Sequence, residues 1–267
     1  MQSSLPSVGF GHVRFGHVRF GRIHAHALTF DEALQAIEEL CARGEGGYVV
    51  TPNVDHVVLA ERDEALVQAY ARSSLSLVDG KPLVWLSQAM GTPLPEKISG
   101  SDLCRPLIER AAAKGLAVFF LGAKDGVAQR AADVLLQEHP SLRVAGVFSP
   151  PLGFDRDEGK NAEVVHRIRE ANPALVLVAL GAPKQELWMA QHKDVLAPAV
   201  LLGIGGTLDF IAGEVQRAPR WMSDAGLEWL YRLGQEPRRM AGRYLVRDRA
   251  FAAIALRAIL SHRARSN

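Results

Sequence analysis

A doubly wound α/β fold built on a parallel sheet is what this sequence predicts, and two observations carry the prediction. Six continuous apolar runs have the length and the Val/Leu content of strands buried on both faces: GYVVT (47–51), LSLVD (75–79), LAVFFLG (116–122), LRVAGVF (142–148), ALVLVALG (174–181) and AVLLGIGG (199–206). Between most of them lie helical patterns such as DHVVLAERDEALVQAYARS and DGVAQRAADVLLQEH, with apolar residues three and four apart. Strands alternating with helices in this way make a Rossmann-like parallel sheet covered on both faces. The expected domain spans residues 21–213, with an N-terminal extension over 1–20 and a basic, arginine-rich helical C-terminal appendage over 214–267.

Composition agrees with a globular chain. At 267 residues and 48% hydrophobic, it can bury a full core as one large α/β domain or as one domain with an appendage, which excludes disorder and a fibrous class. Cys41 and Cys104 give neither a disulfide framework nor zinc spacing, so a reducing cytoplasm is the expected setting. No apolar run approaches the roughly 20 residues a bilayer span needs, and the N-terminus lacks the charged-then-apolar order of a signal peptide. A soluble or peripheral protein is therefore expected. Charge is distributed unevenly: from Arg217 onward there are 11 Arg, no Lys and 4 acidic residues, a net of +7, which leaves −5 for residues 1–216 of a chain whose total is +2. A basic end of this kind suggests an anionic partner there.

The chain opens on a short direct repeat, FGHVRFGHVRFGR, with copies starting at Phe10 and Phe15. Five residues are too few for a solenoid unit, which needs roughly 20 or more, so the repeat reads as an expanded N-terminal strand. His12 and His17, with His24 and His26, raise the thought of a metal tract, but no Cys or carboxylate stands at ligand spacing and no metal is expected there.

Ligands of an open α/β sheet bind outside the carboxyl ends of its strands. The polar residues at those ends are Thr51-Pro-Asn53-Val-Asp55, Asp79-Gly80-Lys81, Gly122-Ala-Lys124, Gly181-Ala-Pro-Lys184-Gln185-Glu186 and Gly205-Gly206-Thr207-Leu-Asp209. Asp55 reads first as the N-cap of the helix that follows and only second as a catalytic group. For Asp79 the capping reading is weaker, because Gly80 adjoins it and Pro82 suits the first helical position; turn and function stay open alternatives there. Gly205-Gly206 would let a backbone approach a phosphate, although glycines at strand ends usually serve the turn. The chain has no GxGxxG after a strand and no GxxxxGK followed by Ser or Thr, so neither a dinucleotide fingerprint nor a P-loop is present. Asp155-Arg156-Asp157 has the form of a metal-holding DxD, but it leads into a polar helix and reads as a solvated helix entry. In RAPRWMSDAGLEWLYRLGQEPRRMAGRYLVRDRAF, Trp221, Trp229 and Tyr231 stand among arginines, with Leu227, Leu230 and Leu233 at helical spacing. Such a segment packs on the sheet with a solvated basic face, clamps a diphosphate through guanidinium forks, or adheres to anionic lipid.

Taken in order, TPNVD, VDG, GAPKQELW (181–188), GTLDFIAG (206–213), RAPRWM (217–222) and GLEWLYRLGQEPRR (226–239) resemble the WecG/TagA/CpsF glycosyltransferases, glycosyltransferase family 26, from about Gly21 to Tyr244. The resemblance implies an inverting, metal-independent transfer from a UDP-sugar to a saccharide on a polyprenyl diphosphate, in bacterial cell-surface polysaccharide synthesis. It implies a cytoplasmic enzyme held peripherally at the inner face of the cell membrane, with monomer–oligomer exchange, no cofactor and no nucleic-acid partner. By motif, Asp79 is the general base, Thr51 and Asn53 line the pocket, Gln185 faces the sugar, and Arg232 and Arg239 of the appendage meet the diphosphate. Two departures stand out. An Arg of the family pattern is replaced by Lys97, which keeps the charge and loses the fork geometry. RRY of the pattern is replaced by Gly242-Arg243-Tyr244, so Gly242 drops one phosphate contact and Arg243 is a candidate binding residue, with substitution for that contact left open. The competing class is a non-catalytic module that binds anionic membrane or nucleic acid, without any helix-turn-helix or RNA-binding signature to support it. An epimerase or dehydrogenase on a Rossmann sheet lacks its glycine fingerprint.

Overall fold

The computed structural model describes residues 9–10, 13–14, 16–238, 242 and 247–266, and the side chains of 16–238, 242 and 247–262. The chain forms two compact units, each assembled from separated segments: 1–30, 51–99 and 217–267 in the first, 31–50 and 100–216 in the second.

The first unit begins with two antiparallel pairs, β1 (Gly9–Phe10) with β2 (Val13–Arg14) and β3 (His17–Phe20) with β4 (Ile23–His26). His12 lies outside the described residues. The second copy of the sequence repeat builds β3, and its period-two pattern buries Val18 and Phe20 while His17 and Arg19 stay exposed. Phe20 lies opposite Ile23, which leaves Gly21-Arg22 as a two-residue hairpin turn. On β4, His24 and His26 are buried along with Ile23 and Ala25. Burial pushes both imidazoles down to about 4, with His26, His17 and Arg19 adding repulsion at His24. Ser76 of β6 (Leu75–Ser76) stitches the hairpin down, its N–H donating to His26 Nδ1 at 3.0 Å and its Oγ to the His24 carbonyl at 2.6 Å.

The helical pattern expected after TPN is broken into α2 (Val54–Ala60) and α3 (Glu64–Ala71), because the Asp63 carboxylate accepts from the Leu66 N–H at 3.0 Å and caps a new helix. The strand expected over 75–79 keeps ladder geometry only at Leu75–Ser76. Beyond it the backbone is held by other partners, the Ile98 N–H on the Val78 carbonyl at 2.7 Å and the Asp79 N–H on the Pro52 carbonyl at 2.8 Å. Helix α4 (Lys81–Ala89) follows.

The second unit is the parallel sheet and its helices. Its strands β5 (Gly47–Val50), β7 (Ala117–Gly122), β8 (Arg143–Phe148), β9 (Leu175–Ala179) and β10 (Val200–Gly203) lie in the order β5-β10-β9-β7-β8, all parallel. Helices α1 (Phe30–Arg43), α5 (Gly100–Lys114), α6 (Val127–Glu138), α7 (Glu158–Ala171), α8 (Lys184–His192) and α9 (Thr207–Ile211) alternate with them. The central strands β9 and β10 are buried along their whole length, as parallel strands covered on both faces must be. This is the Rossmann-like α/β architecture the sequence predicts. At the carboxyl end of β7 the chain turns away through Gly122, at φ 106°, where a Cβ would stand 2.4 Å from the Ala179 carbonyl oxygen of β9.

The arginine-rich segment of the first unit is helical: α10 (Arg220–Asp224), α11 (Glu228–Gln235) and a C-terminal helix, Ala250–Ser266. That last helix packs on α2, with Ile254 buried and the Arg257 guanidinium donating to Glu61 at 2.7 Å. Among the described residues, no helix is long and apolar enough to cross a membrane.

Gly122→Ala combines a disfavoured φ with a clash against backbone, so it should cost about 2 kcal/mol or more. The denaturant midpoint should fall with the m-value unchanged, and an unshifted midpoint would contradict the close approach. The buried histidines set a pH dependence. Because His24 and His26 titrate near 4 when folded and near 6.5 when unfolded, the unfolded chain takes up protons first as pH falls. Stability present above about pH 6.5 is therefore lost toward pH 4, at up to about 1.4 kcal/mol per pH unit for each histidine. The melting temperature should fall between pH 6.5 and 5 more steeply in the wild type than in His24→Gln/His26→Asn; equal slopes would contradict it.

Candidate active site

The TPNVD and VDGK segments meet in the first unit. Asn53 is the N-cap of α2: its Oδ1 accepts from the N–H groups of Asp55 at 3.0 Å and His56 at 3.4 Å, and its own N–H donates to His56 Nδ1 at 3.1 Å. A histidine thus closes the capping box where Glu or Gln usually stands. Asp55, expected as the cap, is instead the second residue of the helix, 2% exposed. Its carboxylate is gripped by Arg247, with Nε 2.5 Å from Oδ1 and Nη2 donating to Oδ2 at 2.9 Å. Asn and Asp both rank high as caps, and the position nearer the helix start won.

Asp79 is fixed by its backbone. Its N–H is tied to Pro52 two residues before α2, and the carbonyl of Val78 just before it is tied to Ile98. Gly80, at φ 113°, then caps α4 without a side chain, a conformation that favours glycine. Lys81 is the first helical residue and Pro82 the second, one place later than expected.

Asp79 and Asn53 open into a cavity of about 350 Å³ within the first unit, a size that suits small ligands. Lys97 and Arg232, both expected as binding residues, line it as well. Lys97 donates from Nζ to Ser223 Oγ at 3.1 Å, and that hydroxyl lies 3.2 Å from the Glu228 carboxylate, to which it donates. Sequence reasoning missed Lys81, Asp248, Arg249 and Phe251 as lining residues, together with the role of Trp229 as part of the wall. Lys81 and Trp229 stood inside quoted motifs and were legible; Asp248, Arg249 and Phe251 close the quoted arginine-rich stretch but lie beyond the family resemblance, which ends at about Tyr244. Four cations (Lys81, Lys97, Arg232, Arg249) and the carboxylates of Asp79, Glu228 and Asp248 therefore surround one space with an aromatic wall. Such a lining can neutralise a phosphorylated ligand while keeping a base beside it.

The remaining expected residues sit differently. Thr51 is buried and is not among the residues lining this cavity. Gln185 belongs to the second unit and is buried, its Nε2 donating to Glu186 at 3.0 Å and its Oε1 accepting from the Gly205 N–H at 3.0 Å. Its amide thus ties α8 to the turn after β10. Arg239 and Arg243 lie outside the described residues. In the DxD segment, Asp157 caps α7 by accepting from the Lys160 N–H at 3.1 Å, and Asp155 lies 3.8 Å from Lys184. The Lys160 N–H and ammonium hold the Asp157 carboxyl below the usual carboxylate range. Among the described residues, no group of three or more His, Cys, Asp or Glu side chains is arranged to hold a metal ion.

Comparison with known proteins gives this site its family. Residues 18–265 match the sequence profile of the Glycosyl transferase WecG/TagA/CpsF family. A protein of Bacillus spizizenii, N-acetylglucosaminyldiphosphoundecaprenol N-acetyl-beta-D-mannosaminyltransferase, is 32% identical over 197 residues, 74% of this chain and 74% of the relative. The protein of the same name from Bacillus subtilis is 32% identical over 192 residues, 72% of this chain and 73% of the relative. The profile spans both units and all four cavity residues named from the sequence, and the chain belongs to the WecG/TagA/CpsF family of glycosyltransferases.

Proposed function

We propose that this glycosyltransferase moves a sugar from a UDP-sugar to a saccharide on a polyprenyl diphosphate, in bacterial cell-surface polysaccharide synthesis, by a single inverting displacement that needs no metal. One observation carries the reading: a backbone-fixed carboxylate, Asp79, lines the same cavity as Lys81, Lys97, Arg232 and Arg249. The names of the two Bacillus relatives support an N-acetylmannosaminyl donor as the first to try and lipid-linked N-acetylglucosamine as the acceptor.

In this reading Asp79 accepts the proton of the acceptor hydroxyl as that oxygen attacks the anomeric carbon. The bond from that carbon to the UDP oxygen breaks with inversion, and the departing diphosphate gains negative charge. Lys97 and Arg232, with Lys81 and Arg249, stabilise that charge, a task that elsewhere falls to a divalent ion. Asn53, already oriented by its capping bonds, contacts substrate; Thr51, Gln185, Arg239 and Arg243 are assigned to substrate binding on their motif positions alone. A lipid-linked acceptor calls for a peripheral position at the inner face of the cytoplasmic membrane. Exposed Trp221, Leu256 and Leu260 (65%, 58% and 56%) in the +7 segment support such a position.

The test is transfer from a panel of UDP-sugars to polyprenyl-diphosphate N-acetylglucosamine, with EDTA present, read as UDP release. Release should persist in EDTA; activity that vanishes and returns with added magnesium would contradict the metal-free step. Asp79→Asn should lower kcat about 10²–10⁴-fold while UDP affinity and thermal stability hold, and wild-type turnover in that variant would overturn the base assignment.

A further inference from the structure

Asp55 is a buried carboxylate that neither caps its helix nor lines the cavity. Its partner Arg247 comes 192 residues later. The guanidinium donates from Nη2 to Oδ2 at 2.9 Å and brings Nε to 2.5 Å from Oδ1 as an ion-pair contact, so one charge-assisted hydrogen bond and one close charge contact hold it to the carboxylate. On either side of the pair stand residues of the cavity wall. Asn53 and Val54 immediately precede Asp55, and Asp248, Arg249 and Phe251 follow Arg247. A second tie, Arg257 to Glu61, joins the C-terminal helix to the far end of α2, but the Arg257 side chain is 65% exposed and such pairs contribute little. In the Asp55–Arg247 pair only the carboxylate is buried, the Arg247 side chain being 42% exposed, so the pair's own contribution to stability is small as well. What it supplies is position.

We propose that Asp55 is a positioning residue of the transferase: through Arg247 it holds the 248–251 wall of the cavity against the start of α2, and so sets the shape of the substrate site without touching substrate. The proposal rests on the cavity being the reaction site. Loss of the pair should weaken the grip on the UDP diphosphate, because the wall it holds carries Arg249, while Asp79, held from Pro52, keeps its place.

The decisive variant is Asp55→Asn/Arg247→Met, which removes the ion pair without leaving a buried charge alone. It is assayed with the donor selected from the UDP-sugar panel and polyprenyl-diphosphate N-acetylglucosamine. It should fold and melt within a few degrees of the wild type, and its KM for the UDP-sugar should rise about tenfold or more while its KM for the acceptor stays within about threefold. A UDP-sugar KM within twofold of wild type would overturn the proposal. So would failure of the double variant to fold, which would assign the pair to stability. Asp79→Asn is assayed in parallel: wild-type turnover there would defeat the reading of the site itself, whatever the double variant does.

Discussion

The hydrogen bond from the Asp79 N–H to the Pro52 carbonyl, at 2.8 Å, is the constraint on which the rest of the site depends. It joins the two segments proposed to carry the chemistry, and it does so through backbone groups, which must be paired wherever they are buried. Pro52 leads directly into the Asn53 cap of α2, and Asp79 leads directly into the Gly80 cap of α4. Two helix starts are thereby set side by side, with a carboxylate and an amide between them at the cavity. A catalytic group must be held to within a fraction of an ångström of its working geometry, and for Asp79, the proposed base, the main chain does the holding.

Charge is the second organising theme. The sequence shows a +7 segment after residue 216, and a block of arginines invites the view that all of them serve one anionic partner. The structure sorts them. Arg247 and Arg257 are engaged with Asp55 and Glu61 of α2 and act within the fold, whereas Arg232 and Arg249 line the cavity. Lys81 and Lys97 join these last two from outside the arginine block, so the cationic lining draws on two distant stretches of chain. The Lys97 substitution fits this arrangement: a single ammonium donates to Ser223, and the planar fork is supplied elsewhere in the lining by arginine.

Much of the fold was legible because parallel strands buried on both faces read as unbroken Val/Leu runs. Five of the expected strands recur within one to three residues of their predicted ends. The LSLVD run was harder, since its last residues hydrogen-bond to Pro52 and Ile98 in place of a ladder, and nothing in an apolar pattern announces that switch. The long pattern after TPN hid a break at Asp63, a cap inside an amphipathic period. Asn53 and Asp79 were legible as lining residues because motif order and the carboxyl-end rule both pointed to them, and Lys97 and Arg232 because of motif order alone. Asp55 was misjudged as a cap because its true partner lies in the C-terminal segment, a contact no local pattern encodes.

The most direct test of the central claim is a structure of the full chain with UDP bound in the presence of EDTA. The account predicts the diphosphate within hydrogen-bonding distance of Lys97 and Arg232, with the Asp79 carboxylate facing the open side where the acceptor hydroxyl would enter. A diphosphate bound away from Lys97 and Arg232, or an Asp79 carboxylate turned away from that open side, would contradict it.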